Sequence, residues 1–183
     1  IDLKFGESLA VIGCGGVGLN LIQAASMKNA FPIIAVDNNI NKKDLCIKSN
    51  ASHFINDIND FSQGEIDIII DTTGIPSVIT HAINKLSDQG RMILVGQPAP
   101  EKFVQISNAL NLFNGIGKTI KATQGGKTRP HFDIPRYIKL YQNDRLQIDH
   151  LFTDIVPLVE VNKGFDLLRS RNSGRVLVSI NEK

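Results

Sequence analysis

The stretch Leu9-Ala10-Val11-Ile12-Gly13-Cys14-Gly15-Gly16-Val17-Gly18 has the pattern of a buried strand, a glycine turn and the start of a helix, and the next apolar run, Ile33-Ile34-Ala35-Val36, ends in Asp37. Gly13, Gly15 and Gly18 supply the spacing G-x-G-x-x-G. Gly13 permits a tight turn, Gly15 lets backbone approach a diphosphate, and Gly18 lets the helix pack close to the strand. The helix start presents unpaired N–H groups and a positive dipole end to phosphate oxygens. Asp37 is placed to accept hydrogen bonds from ribose hydroxyls. A glycine-rich turn alone also arises for purely structural reasons. With a strand before it, a helix after it and the acid at this spacing, the pattern points to dinucleotide binding.

The rest of the chain continues the alternation. Strands are expected at Ser8–Gly13, Pro32–Asp37, His53–Asn56, Ile66–Asp71, Arg91–Gly96 and Lys118–Thr123. Helices are expected at Gly16–Lys28, at Asn41–Ser49 and from Pro76, where Val78, Ile79, Ala82, Ile83 and Leu86 follow helical spacing. Right-handed crossovers between such strands give an α/β fold, a doubly wound parallel sheet of about six strands with helices on both faces. After Gly125-Gly126 the pattern changes. A helix started by Pro135 is expected over Asp133–Tyr141, an extended piece at Asp154–Leu158, a helix at Val159–Ser170 and a strand at Arg175–Ile180. Residues 1–125 thus read as the dinucleotide-binding domain and 126–183 as a tail that packs on something else.

Composition narrows the function classes. Of the 183 residues, 42% are hydrophobic and 21% charged, the balance of an ordinary globular protein, and the net charge is +2 with Lys and Arg dispersed. Neither nucleic acid nor a membrane surface is an expected partner. There is no apolar run near the ~18 residues of a span and no signal-peptide pattern at the start. Cys14 and Cys46 lack C-x-x-C spacing and a nearby histidine, so neither a disulfide framework nor a zinc site is expected, and a reducing cytoplasm fits. Cys14 reads as a packed, inert thiol, although its place near a helix start favours a lowered pKa. His53, His81, His131 and His150 have no metal or triad spacing and read as structural or solvated.

Gly13-Cys14-Gly15-Gly16-Val17-Gly18 is a G-x-G-G-V-G form of the turn, more specific than the generic one. Together with Asp71-Thr72-Thr73-Gly74, Leu94-Val95-Gly96-Gln97-Pro98 and the run Val161–Ser170, it resembles the C-terminal portion of the medium-chain dehydrogenase/reductase family, particularly the zinc-dependent alcohol dehydrogenases. The resemblance implies an oxidoreductase that uses NAD(H) on an alcohol or aldehyde. It implies no catalytic residue and no metal ligand in this stretch, because zinc is expected only in an N-terminal lobe that the chain lacks, so that the chain reads as part of a longer enzyme without turnover of its own. Gly16 and Val17 join the three turn glycines at the cofactor, and Lys42 reaches the ribose from the helix after Asp37. Thr73 lines the adenosine side. Val95 and Gly96 lie beside the nicotinamide, with backbone near Thr123 on its carboxamide, and Arg175 falls on the pyrophosphate. Read without the family, Lys42 is a solvated lysine, Val95 a core residue, Gly96 a turn, and Arg175 decoration on a terminal strand.

Asp37 favours NAD over NADP, since a 2′-phosphate meets like charge there and Asn38-Asn39 offer no arginine to hold it. A zinc-independent quinone-reductase-like member is an alternative, disfavoured by Asp37. A non-catalytic nucleotide-sensing module is another, disfavoured by Arg175. Family members join subunits through the sheet edge at Lys118–Thr123, so a homodimer through residues 110–123 is expected. Exposed apolar surface is expected around Leu151–Leu158.

Overall fold

The computed structural model describes residues 2–62, 64–170 and 173–180. Its strands are β1 (Leu9–Ile12), β2 (Ile33–Val36), β3 (His53–Ile55), β4 (Ile66–Asp71), β5 (Leu86–Leu94) and β6 (Thr119–Ala122), with α1 (Gly16–Met27), α2 (Lys43–Lys48) and α3 (Pro76–Ile83) between them. They pair in parallel in the order β3-β2-β1-β4-β5-β6. The chain runs outward from β1 to β3 and then crosses back to β4. The order therefore reverses between β1 and β4, where loops at the carboxyl ends diverge and leave a crevice.

Alternation along the strands builds two apolar layers. Leu9, Val11, Ile33, Ala35, Ile68 and Ile70 pack with Leu19, Ile22 and Ala25 of α1. The opposite side chains, Ala10, Ile12, Ile34, Val36 and Ile69, pack with Ile79, Ala82 and Ile83 of α3. Each such aliphatic side chain contributes about 1.5–3 kcal/mol on burial, so the sheet centre, and with it the crevice, is the most firmly held part of the molecule.

The amino ends of three strands are tied by polar groups. The Ser8 N–H and hydroxyl donate to Asp67 Oδ2 at 3.0 and 2.8 Å, and the Ser87 hydroxyl donates to Oδ1 at 3.1 Å. Beside them Arg91 pairs with Glu7 at 2.6 Å.

Two sequence expectations are corrected here. Leu86 is not the last apolar position of α3: the helix ends at Ile83, and Leu86 opens β5 while remaining fully buried in the same apolar layer. The shift in register between Ile66 and Ile68 of β4 and their β5 partners absorbs the residues between Leu86 and Arg91. Pro135 does not start the next helix. α4 runs Pro130–Gln142 with Pro130 in its first turn, where a missing N–H costs nothing, and Pro135 sits inside it.

The last segment adds β7 (Phe152–Pro157), α5 (Val161–Arg169) and β8 (Arg175–Ser179), with β7 and β8 forming a separate parallel pair. It docks on the first layer through defined contacts. The Gln147 N–H donates to Gln23 Oε1 at 3.0 Å, and His150 Nε2 lies 2.9 Å from Ser49 Oγ. The expected apolar surface at Leu151–Leu158 is only partly there. Leu151 and Val156 are buried, Leu151 within the main core, whereas Ile155, Leu158 and Val159 are exposed.

Asp67 gives this frame a pH dependence. Burial pushes its pKa up, but the Ser8 and Ser87 hydrogen bonds and the charge of Arg91 outweigh burial and hold it below the ordinary 3.8. A carboxyl with a depressed folded-state pKa contributes stability that is complete above its unfolded pKa and is lost as pH falls through the folded one. The melting temperature should therefore drop below about pH 4, and Asp67→Asn should flatten that drop. Parallel acid profiles for the two proteins would contradict the assignment.

Candidate dinucleotide-binding site

Three loops meet at the carboxyl ends of β1, β2 and β4. The first is the glycine turn. Gly13 has φ +88°, a region that side-chain-bearing residues rarely adopt, and a Cβ there would lie 2.5 Å from the Thr72 hydroxyl. A Cβ on Gly18 would press into the Gly13 carbonyl, with its carbon at 3.0 Å. Gly15 differs from both. Its backbone is extended, with φ −84° and ψ −165°, and a Cβ there would meet nothing within 4 Å. Gly13 and Gly18 serve the fold, and Gly15 faces open space.

That space lies over the start of α1, which has no side-chain cap and no acid in its first turn. Its leading N–H groups, at Gly16, Val17 and Gly18, have no acceptor among the described residues. Arg175 arrives at the same place from β8: its guanidinium carbon is 2.5 Å from where a Gly16 Cβ would stand. Gly16 is thus the residue that admits Arg175. Among the described residues Arg175 pairs with no carboxylate. Free N–H donors, a helix dipole and a free guanidinium converge on a spot that suits an anion.

The second loop carries Asp37. Its Oδ2 accepts from the Cys14 N–H at 2.7 Å, its Oδ1 accepts from the Asn39 N–H at 2.9 Å, and Lys42 Nζ lies 3.4 Å from Oδ2. The side chains of Lys42 and Asp37 are only 10% and 9% exposed. Lys42 is thereby drawn out of solvent to the acid that follows β2.

The third loop follows β4 and is organised by Asp71, whose side chain is wholly buried. Its carboxyl oxygens accept from the Thr73 hydroxyl at 2.6 Å, the Thr73 N–H at 3.2 Å and the Gly74 N–H at 2.9 Å. The Thr72 hydroxyl reaches the Gly13 carbonyl at 2.8 Å and so joins this loop to the glycine turn. The Asp71 carbonyl accepts from the N–H groups of Val95 and Gly96. A Cβ on Gly96 would lie 2.6 Å from the Thr72 carbonyl carbon, so the β5 loop packs directly against the β4 loop.

Between the loops lies a cleft of about 580 Å³ lined by Gly13, Gly15, Asp37, Lys42 and Thr73 among others. Val95, Gly96 and Thr123 are not in it. They lie beyond it, at the ends of β5 and β6, with the Thr123 N–H on the Leu94 carbonyl. Cys14 is buried and its pKa is raised, first by its hydrogen bond with Cys46 and then by burial, so the helix start does not activate it. Two of the histidines have defined surroundings. His150 is partnered by Ser49, and His81 stands in the cleft wall. Sequence reading also missed the organising role of Asp71. The available signal was an acid ending an otherwise apolar strand, with a threonine pair and a glycine behind it.

Gly15 and Gly18 make opposite predictions. Gly18→Ala should lower stability by about 1–3 kcal/mol, because the new methyl meets backbone that cannot move aside. Gly15→Val should leave the melting temperature nearly unchanged and abolish dinucleotide binding by calorimetry. Equal effects of the two on stability would contradict the division of roles.

Comparison with known proteins agrees with this fold. The family described as zinc-binding dehydrogenase matches residues 16–142. An NDMA-dependent alcohol dehydrogenase of Amycolatopsis methanolica is 30% identical over 188 residues, covering 96% of this chain and 50% of its own. Alcohol dehydrogenase 1 of Solanum tuberosum is 29% identical, covering 97% and 49%. The crystal structure of benzyl alcohol dehydrogenase from Acinetobacter calcoaceticus superposes with a TM-score of 0.89 at 25% identity, covering 98% of this chain and 51% of that one. The chain spans about half the length of these relatives. With the family match extending over more than half of its residues, the chain belongs to the zinc-binding dehydrogenase family.

Proposed function

We propose that this chain is the NAD-binding portion of an alcohol or polyol dehydrogenase, with residues 1–125 as the cofactor domain and 126–183 returning toward the rest of the enzyme. The observation that carries the reading is the uncapped start of α1, open above Gly15 and overhung by Arg175, which pairs with no carboxylate among the described residues. When bound, NAD supplies a nicotinamide ring that exchanges a hydride with an alcohol or aldehyde carbon. The N–H groups of Gly16, Val17 and Gly18, with Arg175, hold the pyrophosphate. Asp37 accepts from the ribose hydroxyls, with Lys42 beside it. Thr73, whose hydroxyl is committed to Asp71, shapes the adenosine side rather than bonding to it. Val95, Gly96 and backbone near Thr123 serve the nicotinamide end. Among the described residues no three His, Cys, Asp or Glu side chains gather as a metal site. Two buried free thiols fit a reducing compartment such as the cytoplasm.

The edge strand β6 supports a homodimer. All four of its residues are exposed, and Leu110, Phe113 and Ile116 beside it are more than three-quarters exposed. The Thr123 N–H points inward to Leu94, and alternation turns the Ile120 N–H to the open side. Pairing of two such edges across a two-fold axis joins two sheets into one and covers the apolar rim.

Two measurements test this reading. Calorimetric titration should show NADH bound at least about tenfold more tightly than NADPH, since a 2′-phosphate meets the Asp37 charge, and Asp37→Ala should erase that preference. Tighter binding of NADPH to the unaltered protein would overturn the cofactor assignment. Ile120→Pro removes an outward donor without touching the pairing to β5. It should halve the sedimentation mass, and an unchanged mass would refute the edge contact.

A further inference from the structure

The cleft extends past the glycine turn and Asp37 to residues of α3 and of the 3₁₀ turn Ile58–Asp60. If the glycine turn holds the pyrophosphate and Asp37 the ribose, as proposed above, the base falls in what remains. That remainder lies between α3 and the 3₁₀ turn Ile58–Asp60. Its floor is apolar, made by Ile12, Val36, Ile58 and Val78. Its far wall is polar. Ser77 and His81 stand one turn apart on α3 and both line the cleft. Neither the Ser77 hydroxyl nor the His81 ring has a hydrogen-bond partner among the described residues. Asn59 joins them from the 3₁₀ turn.

The orientation of Asn59 is set by its neighbours. Asp57 Oδ1 accepts from both the Asn59 N–H and its side-chain Nδ2, each at 2.9 Å. One of the two carboxamide N–H groups is thus used within the turn, which fixes the amide plane and leaves Oδ1 as an acceptor. The turn itself is pinned by Ile58, buried in the layer with Ile79 and Ile83, and by Lys85, whose ammonium donates to the carbonyls of Asn59 and Phe61.

We propose that this wall reads the edge of the purine and makes Asn59 a specificity-determining residue for adenine. The exocyclic amine of adenine donates to Asn59 Oδ1, and the His81 ring or the Ser77 hydroxyl donates to a ring nitrogen, while the face of the base lies on the apolar floor. A base with a carbonyl in place of that amine cannot donate to Oδ1, and meeting the remaining N–H instead requires the base to shift or the carboxamide to turn away from Asp57. The site therefore distinguishes adenine from hypoxanthine, which the phosphate and ribose contacts do not.

The test is calorimetric titration of the protein with NADH and with reduced nicotinamide hypoxanthine dinucleotide, which differ only at that edge. The adenine form should bind about tenfold more tightly. Asn59→Ala should bring the two within about twofold by weakening NADH alone, with the hypoxanthine form reporting that the site is still folded. His81→Ala should weaken both. Equal affinities in the unaltered protein, or a preference that survives Asn59→Ala, would overturn the inference while leaving the cofactor reading intact. Binding of neither dinucleotide would overturn the cofactor reading and this inference together.

Discussion

Asp71 holds together the parts of the site that the sheet alone does not fix. Its side chain has no solvent exposure, and three donors from Thr73 and Gly74 satisfy its oxygens. Burial of such a group is tolerable only with its hydrogen bonds complete. The same residue's carbonyl draws in the β5 loop, and its neighbour Thr72 bonds to the end of β1 and to the glycine turn. Three carboxyl-end loops are therefore set relative to one another by two adjacent residues. The free N–H groups of α1 and the guanidinium of Arg175 owe their convergence to that arrangement, because the Gly13 turn they surround is braced by Thr72 from behind.

The glycines divide along the same line. Gly13 and Gly18 are required by backbone geometry and close packing, and Gly16 makes room for Arg175. Of these four turn glycines only Gly15 answers to no neighbour within 4 Å. A ligand approaching the helix start is the physical reason left for having no side chain there.

Most of the sheet was legible in the sequence because its central strands are buried on both faces and read as unbroken aliphatic runs, as in Ile33–Val36 and Ile66–Asp71. Leu86 was misread because three residues past a helix end an apolar side chain still satisfies helical spacing, while tertiary pairing with Ile66 decides its strand identity. Pro135 misled because proline is a strong helix-start signal, and Pro130 carried the same signal five residues earlier. At the site, Asp37 and the turn were visible because motif spacing encodes them. Asn59, Ser77 and His81 were not, since they come from a 3₁₀ turn and a helix that only the crossover between β3 and β4 brings face to face.

The central claim is that the uncapped start of α1 is a pyrophosphate site. Amide chemical-shift mapping of the isotopically labelled protein during titration with NADH tests it most directly. The account predicts that the largest shifts fall on the N–H groups of Gly15, Gly16, Val17 and Gly18 and on the Arg175 side chain. Shifts that spare these groups while appearing elsewhere, or no shifts at saturating NADH, would contradict it.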